Sequence, residues 1–183
     1  MRRPRPRPPG VGAVEETAAM IRVDHAGEYG AVRIYAGQLA VLGSRSGETT
    51  EAIRHMAKQE EAHLKRFDDL INARHVRPTA LEPVWNAAGF ALGAATALMG
   101  EKAAMACTDA VEDVIDQHYA DQLDRLGETD PELRETVAQF RDDEIAHRET
   151  AIAHGSEEAP AYELLTGAIK LGCRLAIALS TRI

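Results

Sequence analysis

Two copies of one spacing limit what this chain can fold into. Glu60-Glu61-Ala62-His63 and Glu144-Ile145-Ala146-His147 are both Glu-x-x-His, they stand 84 residues apart, and a further glutamate, Glu28 or Glu112, lies 32 residues before each. Tyr35 and Tyr119 keep the same offset, each seven residues after its lone glutamate. In a helix, side chains at i and i+3 share a face, so each pair presents a carboxylate and an imidazole together. An acidic helix produces one such pair by chance, but six residues in register form an internal repeat.

The spacing also implies a topology. From Glu28 to the turn near Ser44 is 16 residues and from Gly47 to Glu60 is 13, so at ~1.5 Å per residue the chain rises about 24 Å and returns about 20 Å. Glu28 and Glu60 then sit at nearly one level, and the turn at Gly127 does the same for Glu112 and Glu144. Beyond the first ten residues the prolines are Pro78, Pro83, Pro131 and Pro160, with helical periodicity between them. Thr129-Asp130-Pro131 reads as an N-cap followed by a first-turn proline. These signals predict an all-α chain with helices at 14–43, 48–75, 83–100, 101–126, 131–154 and 160–180. Two hairpins joined by a long crossover describe a ferritin-like bundle as well as a cytokine-like one.

The carboxylates choose between them. Four glutamates converging without a cation would repel and suffer desolvation, so the arrangement makes sense around positive charge. Mixed carboxylate and imidazole ligation without thiolate suits iron or manganese better than structural zinc. A lone Glu on each of two helices and Glu-x-x-His on the other two is the di-iron carboxylate pattern. The expected metal ligands are Glu28, Glu60, His63, Glu112, Glu144 and His147. The expected fold is a ferritin-like four-helix bundle with two additional membrane-associated helices.

Charge and cysteine usage narrow the function. Residues 1–10 hold four arginines, four prolines and no acid, so the rest of the chain sets 17 basic residues against 29 acidic ones. A body of that charge is not a general nucleic-acid binder. The only cysteines, Cys107 and Cys173, are 66 residues apart, which suggests neither a disulfide framework nor a zinc knuckle. Residues 1–13 are expected to form a disordered basic, proline-rich arm, and 14–183 one domain. The arm lacks the apolar core of a secretory signal and the serines of a mitochondrial transit peptide. Residues 83–100 carry no charge, but their glycine and alanine content makes them only mildly apolar, so attachment rather than a span is expected. Gly89, Gly93 and Ala97 have the spacing for close helix approach.

At these residues the sequence resembles the demethoxyubiquinone hydroxylase family, the di-iron monooxygenases of ubiquinone biosynthesis. The stretch Ile21-Arg22-Val23-Asp24-His25-Ala26-Gly27-Glu28-Tyr29-Gly30-Ala31 is similar to the family's first motif, and Arg77-Pro78-Thr79, Trp85-Asn86, His118-Tyr119 and Gly172-Cys173-Arg174 match further positions. The likeness runs from about residue 14 to the C-terminus. It implies that Glu28, Glu60 and His63 hold one iron and Glu112, Glu144 and His147 the other, with Glu60 and Glu144 bridging. It also implies hydroxylation of a demethoxyubiquinone ring with O2 and two electrons, the electrons coming from NADH. No Gly-x-Gly-x-x-Gly unit of Rossmann type is present to bind that donor. A polyprenyl quinone substrate places the protein at a membrane surface, peripheral on the cytoplasmic face of a bacterial inner membrane or on the matrix side of the mitochondrial one. A homo-oligomer and a lipid-binding partner protein are both compatible with this reading.

Several other side chains carry expectations. Tyr119 is the candidate catalytic residue, through a hydrogen bond to the quinone or electron relay, with a core tyrosine of satisfied hydroxyl as the competing reading for it and for Tyr35. Asp24, Asp116 and Asp143 are candidates for hydrogen bonds to the ligand imidazoles. His25 reads as packed or capping, His118 as facing away from the metals, and His55, His75 and His154 as solvent-facing. The rival functions are an iron-storage relative, a di-iron oxygenase acting on another lipid, and a silent quinone-binding partner.

Overall fold

The computed structural model describes residues 11–183 and is helical throughout, with no strand among the described residues. Of the expected arm at 1–13, residues 1–10 lie outside them, whereas 11–13 belong to the first helix. Helix α1 spans Val11–Leu42, α2 Glu48–Arg74, α3 Glu82–Leu98, α4 Glu101–Leu126, α5 Pro131–Ala153 and α6 Tyr162–Ser180. The first helix therefore starts three residues earlier than the periodicity suggests. The last starts two later, because Ser156–Glu158 form a short 3-10 turn and Ala161 takes a left-handed φ of 53° before α6 can begin.

Chemistry at the ends fixes the hairpins. Asp130 caps α5 by accepting a hydrogen bond from the Leu133 N–H at 3.1 Å, and Pro131 fills the first turn, where its missing N–H is harmless. Arg74, in the last turn of α2, donates to the same Asp130 and also to Glu132, which ties the ends of the two hairpins together. The α2 helix stops at His75, whose left-handed conformation turns its N–H back to Ile71 O.

Helices α1, α2, α4 and α5 form the bundle. Its apolar core is in two parts, one at each end. Met20, Ile21, Phe67, Leu70, Leu126, Leu133 and Phe140 pack near the Arg74 end, and Leu42, Ile53, Met56, Ala104 and Met105 near the other. The six candidate ligand residues lie between them.

Helix α3 packs along α1 through glycine contacts, as the spacing predicts. A Cβ on Gly93 would lie 1.9 Å from Ile34 O, and one on Gly37 would lie 2.2 Å from Phe90 O, so only hydrogen fits at this crossing. Helix α6 packs on α4, with Ile169 against Cys107, Ala110 and Val111. Between α3 and α6 runs an apolar groove, bridged at one end by the Trp85 indole N–H donating to Ser180 Oγ at 3.0 Å. No helix among the described residues is long and apolar enough to cross a membrane.

Candidate metal centre

The six expected ligands come together in the middle of the bundle, each at most 3% exposed. Atoms of Glu28, Glu60, His63 and Glu144 lie within 4.8 Å of one another, as do atoms of Glu60, Glu112, Glu144 and His147. Glu60 and Glu144 belong to both groups. One from each hairpin, they occupy the middle of the cluster because equal rise and return along each hairpin bring all four helices to the same level.

The imidazoles are oriented from behind. His63 Nε2 meets Asp143 Oδ2 at 3.1 Å and His147 Nε2 meets Gln59 Oε1 at 3.2 Å. Both partners are acceptors, so Nε2 carries a proton toward them and Nδ1 faces the carboxylates. His63 Nδ1 lies 3.3 Å from Glu144 Oε1 and 3.5 Å from Glu28 Oε2. His147 Nδ1 lies 3.0 Å from Glu60 Oε1 and 3.1 Å from Glu144 Oε2. The His63 ring is clamped from the side by Phe140, stacked at 3.9 Å between centroids.

The two tyrosines cross over. Tyr119, on the helix of Glu112, donates to Glu28 Oε1, whereas Tyr35, on the helix of Glu28, donates to Glu112 Oε1 at 3.2 Å. Each lone glutamate is thus held by the tyrosine of the other hairpin. Both hydroxyls are buried and satisfied within the cluster.

The donor set fits divalent cations. Both oxygens of Glu60 and Nδ1 of His63 are buried with no hydrogen-bond partner, which buried polar atoms rarely tolerate. Burial pushes Glu60 and Glu112 well above the usual carboxylate range, and the neighbouring Glu144 carboxylate adds to the shift in both. Burial alone would lower His63, but the Glu144 and Glu28 carboxylates beside it outweigh that and push the imidazole up to about 11. Two divalent ions would cancel the charge of four carboxylates and engage the idle atoms.

Among the other expected contacts, Asp143 does reach a ligand imidazole. Asp116 instead pairs with Arg141 at 2.6 Å, and Asp24 is bound by His118 at 3.2 Å and Gln122 at 2.6 Å. His25 is buried against Asp68 at 3.0 Å, in keeping with a packed histidine. His154 is not simply solvent-facing: its Nδ1 meets Thr49 Oγ1 at 3.3 Å. Gln59 and Gln122 went unnoticed in the sequence, since nothing in a glutamine's spacing announces which imidazole or carboxylate it will meet.

The apolar groove lies beside this centre. Its volume is about 570 Å³, within the usual range for a small-molecule site, and Ile34, Trp85, Leu92, Val111, Ile115 and Ile177 are among its walls. A separate cavity of about 20 Å³ shares Val23, Gly27, Ala31, Ile115 and Ile177 with it and is lined also by Glu28, Glu112, Glu144 and Tyr119.

Fold and site together define an all-helical bundle with a buried carboxylate and imidazole cluster able to hold two cations, flanked on one side by an apolar groove. Residues 15–180 match the family described as ubiquinone biosynthesis protein COQ7, and the chain belongs to that family. A Rhodospirillum rubrum protein named 3-demethoxyubiquinol 3-hydroxylase is 57% identical over 163 residues, covering 89% of this chain and 76% of the relative. A human relative, named NADPH-dependent 3-demethoxyubiquinone 3-hydroxylase, mitochondrial, is 52% identical over 168 residues, covering 90% and 76%. The Saccharomyces cerevisiae 5-demethoxyubiquinone hydroxylase, mitochondrial, is 45% identical over 179 residues, covering 90% and 77%.

Proposed function

We propose that this ferritin-like bundle is a di-iron monooxygenase that hydroxylates the ring of a demethoxyubiquinone or its quinol in ubiquinone biosynthesis. The observation that carries the reading is the buried set of six side chains in two groups sharing Glu60 and Glu144. The names of the relatives supply the substrate. Glu28, Glu60 and His63 would hold one iron and Glu112, Glu144 and His147 the other, with Glu60 and Glu144 placed in both groups.

Bound irons supply the redox chemistry that activates O2 at such a centre. The chain's own residues do the rest. Asp143 and Gln59 fix the imidazole tautomers, and the two crossed tyrosines hold the outer glutamates. Tyr119 is the candidate catalytic residue: its hydroxyl lines the cavity beside the centre and can hold or move a proton at Glu28 Oε1. The apolar groove takes the ring and the first part of the tail, excluding water from the reacting carbon. One oxygen atom enters the ring and the other leaves as water, with two electrons and two protons consumed. NADH is the donor the family resemblance implies, and the human relative's name specifies NADPH, so a reduced nicotinamide is the proposed source.

The groove opens between two helices whose outer faces are apolar. Leu98 and Met99 by α3 and Leu164, Leu171 and Leu175 of α6 are all exposed. Such a face suits peripheral attachment to a bilayer that delivers the polyprenyl substrate. The membrane is bacterial or the mitochondrial inner one, as the relatives include a bacterial protein and others named mitochondrial.

The test is reconstitution with ferrous iron, reduced nicotinamide, a short-tail demethoxyubiquinone and isotopically labelled O2, followed by mass spectrometry of the ring product. One labelled oxygen atom in the product is expected. Iron oxidation and O2 consumption with an untouched ring would overturn the substrate and favour iron storage.

A further inference from the structure

Most basic side chains of the bundle pair with acids, as Arg74 does with Asp130, Arg125 with Glu16 and Arg148 with Asp109. Three arginines at the C-terminal end of α6 have no Asp or Glu partner among the described residues. Arg22 of α1 donates from Nε to Arg77 O at 2.9 Å and reaches Thr181 O at 3.5 Å. Arg77 donates to Ile183 O at 2.8 Å, and Arg182 folds back on Ala178 O at 3.1 Å. Carbonyls left unpaired at the end of a helix attract cations, which explains why the arginines gather there. It does not saturate them. A guanidinium has five N–H donors; Arg77 and Arg182 each use one on these carbonyls, Arg22 uses two, and Arg77 and Arg182 are exposed.

Their surroundings leave that charge uncompensated. Segments 17–23, 75–81 and 177–183, which carry the three arginines, contain no acidic residue in a chain that has 29 of them. Even with the α-carboxylate of Ile183 counted, three cations face one anion. The other end of α6 has the opposite character, with Glu157 and Glu163 exposed. Leu164, Leu171, Leu175 and Arg182 follow one another at intervals of seven, four and seven residues, so a single line along α6 runs from exposed leucines to an exposed arginine. At the same end Val84 is 51% exposed and the Trp85 indole is tied to Ser180. We propose that Arg22, Arg77 and Arg182 form a docking site for the phosphates of anionic phospholipids, which turns the apolar face of α6 toward the bilayer. The inference rests on the peripheral-membrane reading. With a net charge of −8 the chain as a whole is repelled by an anionic surface, so its one uncompensated basic end sets the orientation of approach. The leucines supply insertion and the arginines supply lipid selectivity.

Flotation of the full chain with phosphatidylcholine vesicles, and with vesicles in which roughly a third of the lipid is phosphatidylglycerol, tests the site. Binding to the anionic vesicles is expected to be about tenfold tighter, and the difference to vanish at high salt. Arg77→Gln with Arg182→Gln should remove most of that difference. Arg2, Arg3, Arg5 and Arg7 add an attraction of their own to any anionic surface, so the remainder should disappear when those four are serine as well. Arg77→Lys with Arg182→Lys keeps the charge without the planar guanidinium and should retain most of the difference. Binding to neutral vesicles, helicity and turnover of a short-tail substrate are expected to be the same in all these proteins, since neither arginine lines the groove or the small cavity.

Equal binding of the unaltered protein to neutral and anionic vesicles would overturn the site, as would a Gln pair that prefers anionic vesicles undiminished or a Lys pair that loses as much as the Gln pair. A Gln pair that loses helicity and neutral-vesicle binding together would show that the arginines hold α6 and not lipid. Binding to no vesicle of either kind would overturn the peripheral-membrane reading itself, a different failure from that of the docking site.

Discussion

At the scale of single residues, the two central glutamates have no substitute. Each belongs to both ligand groups, so Glu60→Ala or Glu144→Ala removes a donor from two sites at once. The expected outcome is loss of turnover and of bound iron, with helicity by circular dichroism retained, because a smaller neutral side chain also relieves repulsion in the metal-free cluster. Full activity in either variant would sink the bridging assignment. Tyr119→Phe separates holding from chemistry: it keeps the ring but removes the hydroxyl at Glu28. Turnover is expected to fall by about 10²-fold, the usual size of a lost proton-transfer group, while iron content by metal analysis stays near that of the unaltered protein. That the six candidate ligands would gather at one level was legible in the sequence because helical spacing fixes which side chains share a face. The crossing of Tyr35 and Tyr119 was not, since it depends on how the two hairpins are rotated toward each other. The Asp24, His118 and Gln122 cluster escaped for the same reason, joining α1 to α4 across 94 and 98 residues.

At the scale of elements, two junctions carry separable predictions. Asp130 caps α5 and pairs with Arg74, so Asp130→Ala removes a cap and a link between hairpins. Loss of the cap alone costs about 1 kcal/mol, visible as a lower midpoint in denaturant. The pH dependence follows from the pairing. The Arg74 hydrogen bond holds the Asp130 carboxyl below the usual carboxylate range, so its contribution is fully present above the unfolded value near about 3.9. It is lost as the pH falls through the lower, folded value. The deficit of the Ala variant should therefore narrow in acid, and a deficit unchanged by acid would show that the ion pair contributes nothing. At the α1 and α3 crossing, Gly93→Ala puts a methyl 1.9 Å from Ile34 O, and backbone must move. Overpacking of this kind costs typically about 1–3 kcal/mol, read as a drop of about 2–4 °C in Tm for each kcal/mol. The spacing of Gly89, Gly93 and Ala97 made a close approach legible in advance, but not that α1 would be the partner. Nor could the sequence show the left-handed Ala161, because an alanine with positive φ is held there by its surroundings and not by its own preference.

At the scale of the whole molecule, one side of the bundle presents exposed apolar side chains. The groove opens there, its far end is tied by Trp85 and Ser180, and Leu164, Leu171 and Leu175 on the outer face of α6 are 76%, 70% and 59% exposed. Lys170 and Arg174 flank that face, although Lys170 is engaged with Asp113 at 2.9 Å. On the proposed function, a bilayer as the neighbour would put the groove mouth against the layer that delivers a polyprenyl quinone, so that the tail would stay in lipid while the ring moves into the groove. Burying a leucine is worth about 1.5–3 kcal/mol. Replacing Leu171 and Leu175 together by serine should lower binding to vesicles of mixed neutral and anionic lipid by tenfold or more in flotation assays. Turnover of a water-soluble short-tail substrate should change far less than that of a long-tail substrate presented in vesicles, since only the latter requires delivery from lipid. Equal losses on both substrates would mean that these leucines shape the groove itself. Undiminished vesicle binding would move the membrane contact elsewhere and leave the α6 face to a second copy of the chain or a lipid-binding partner.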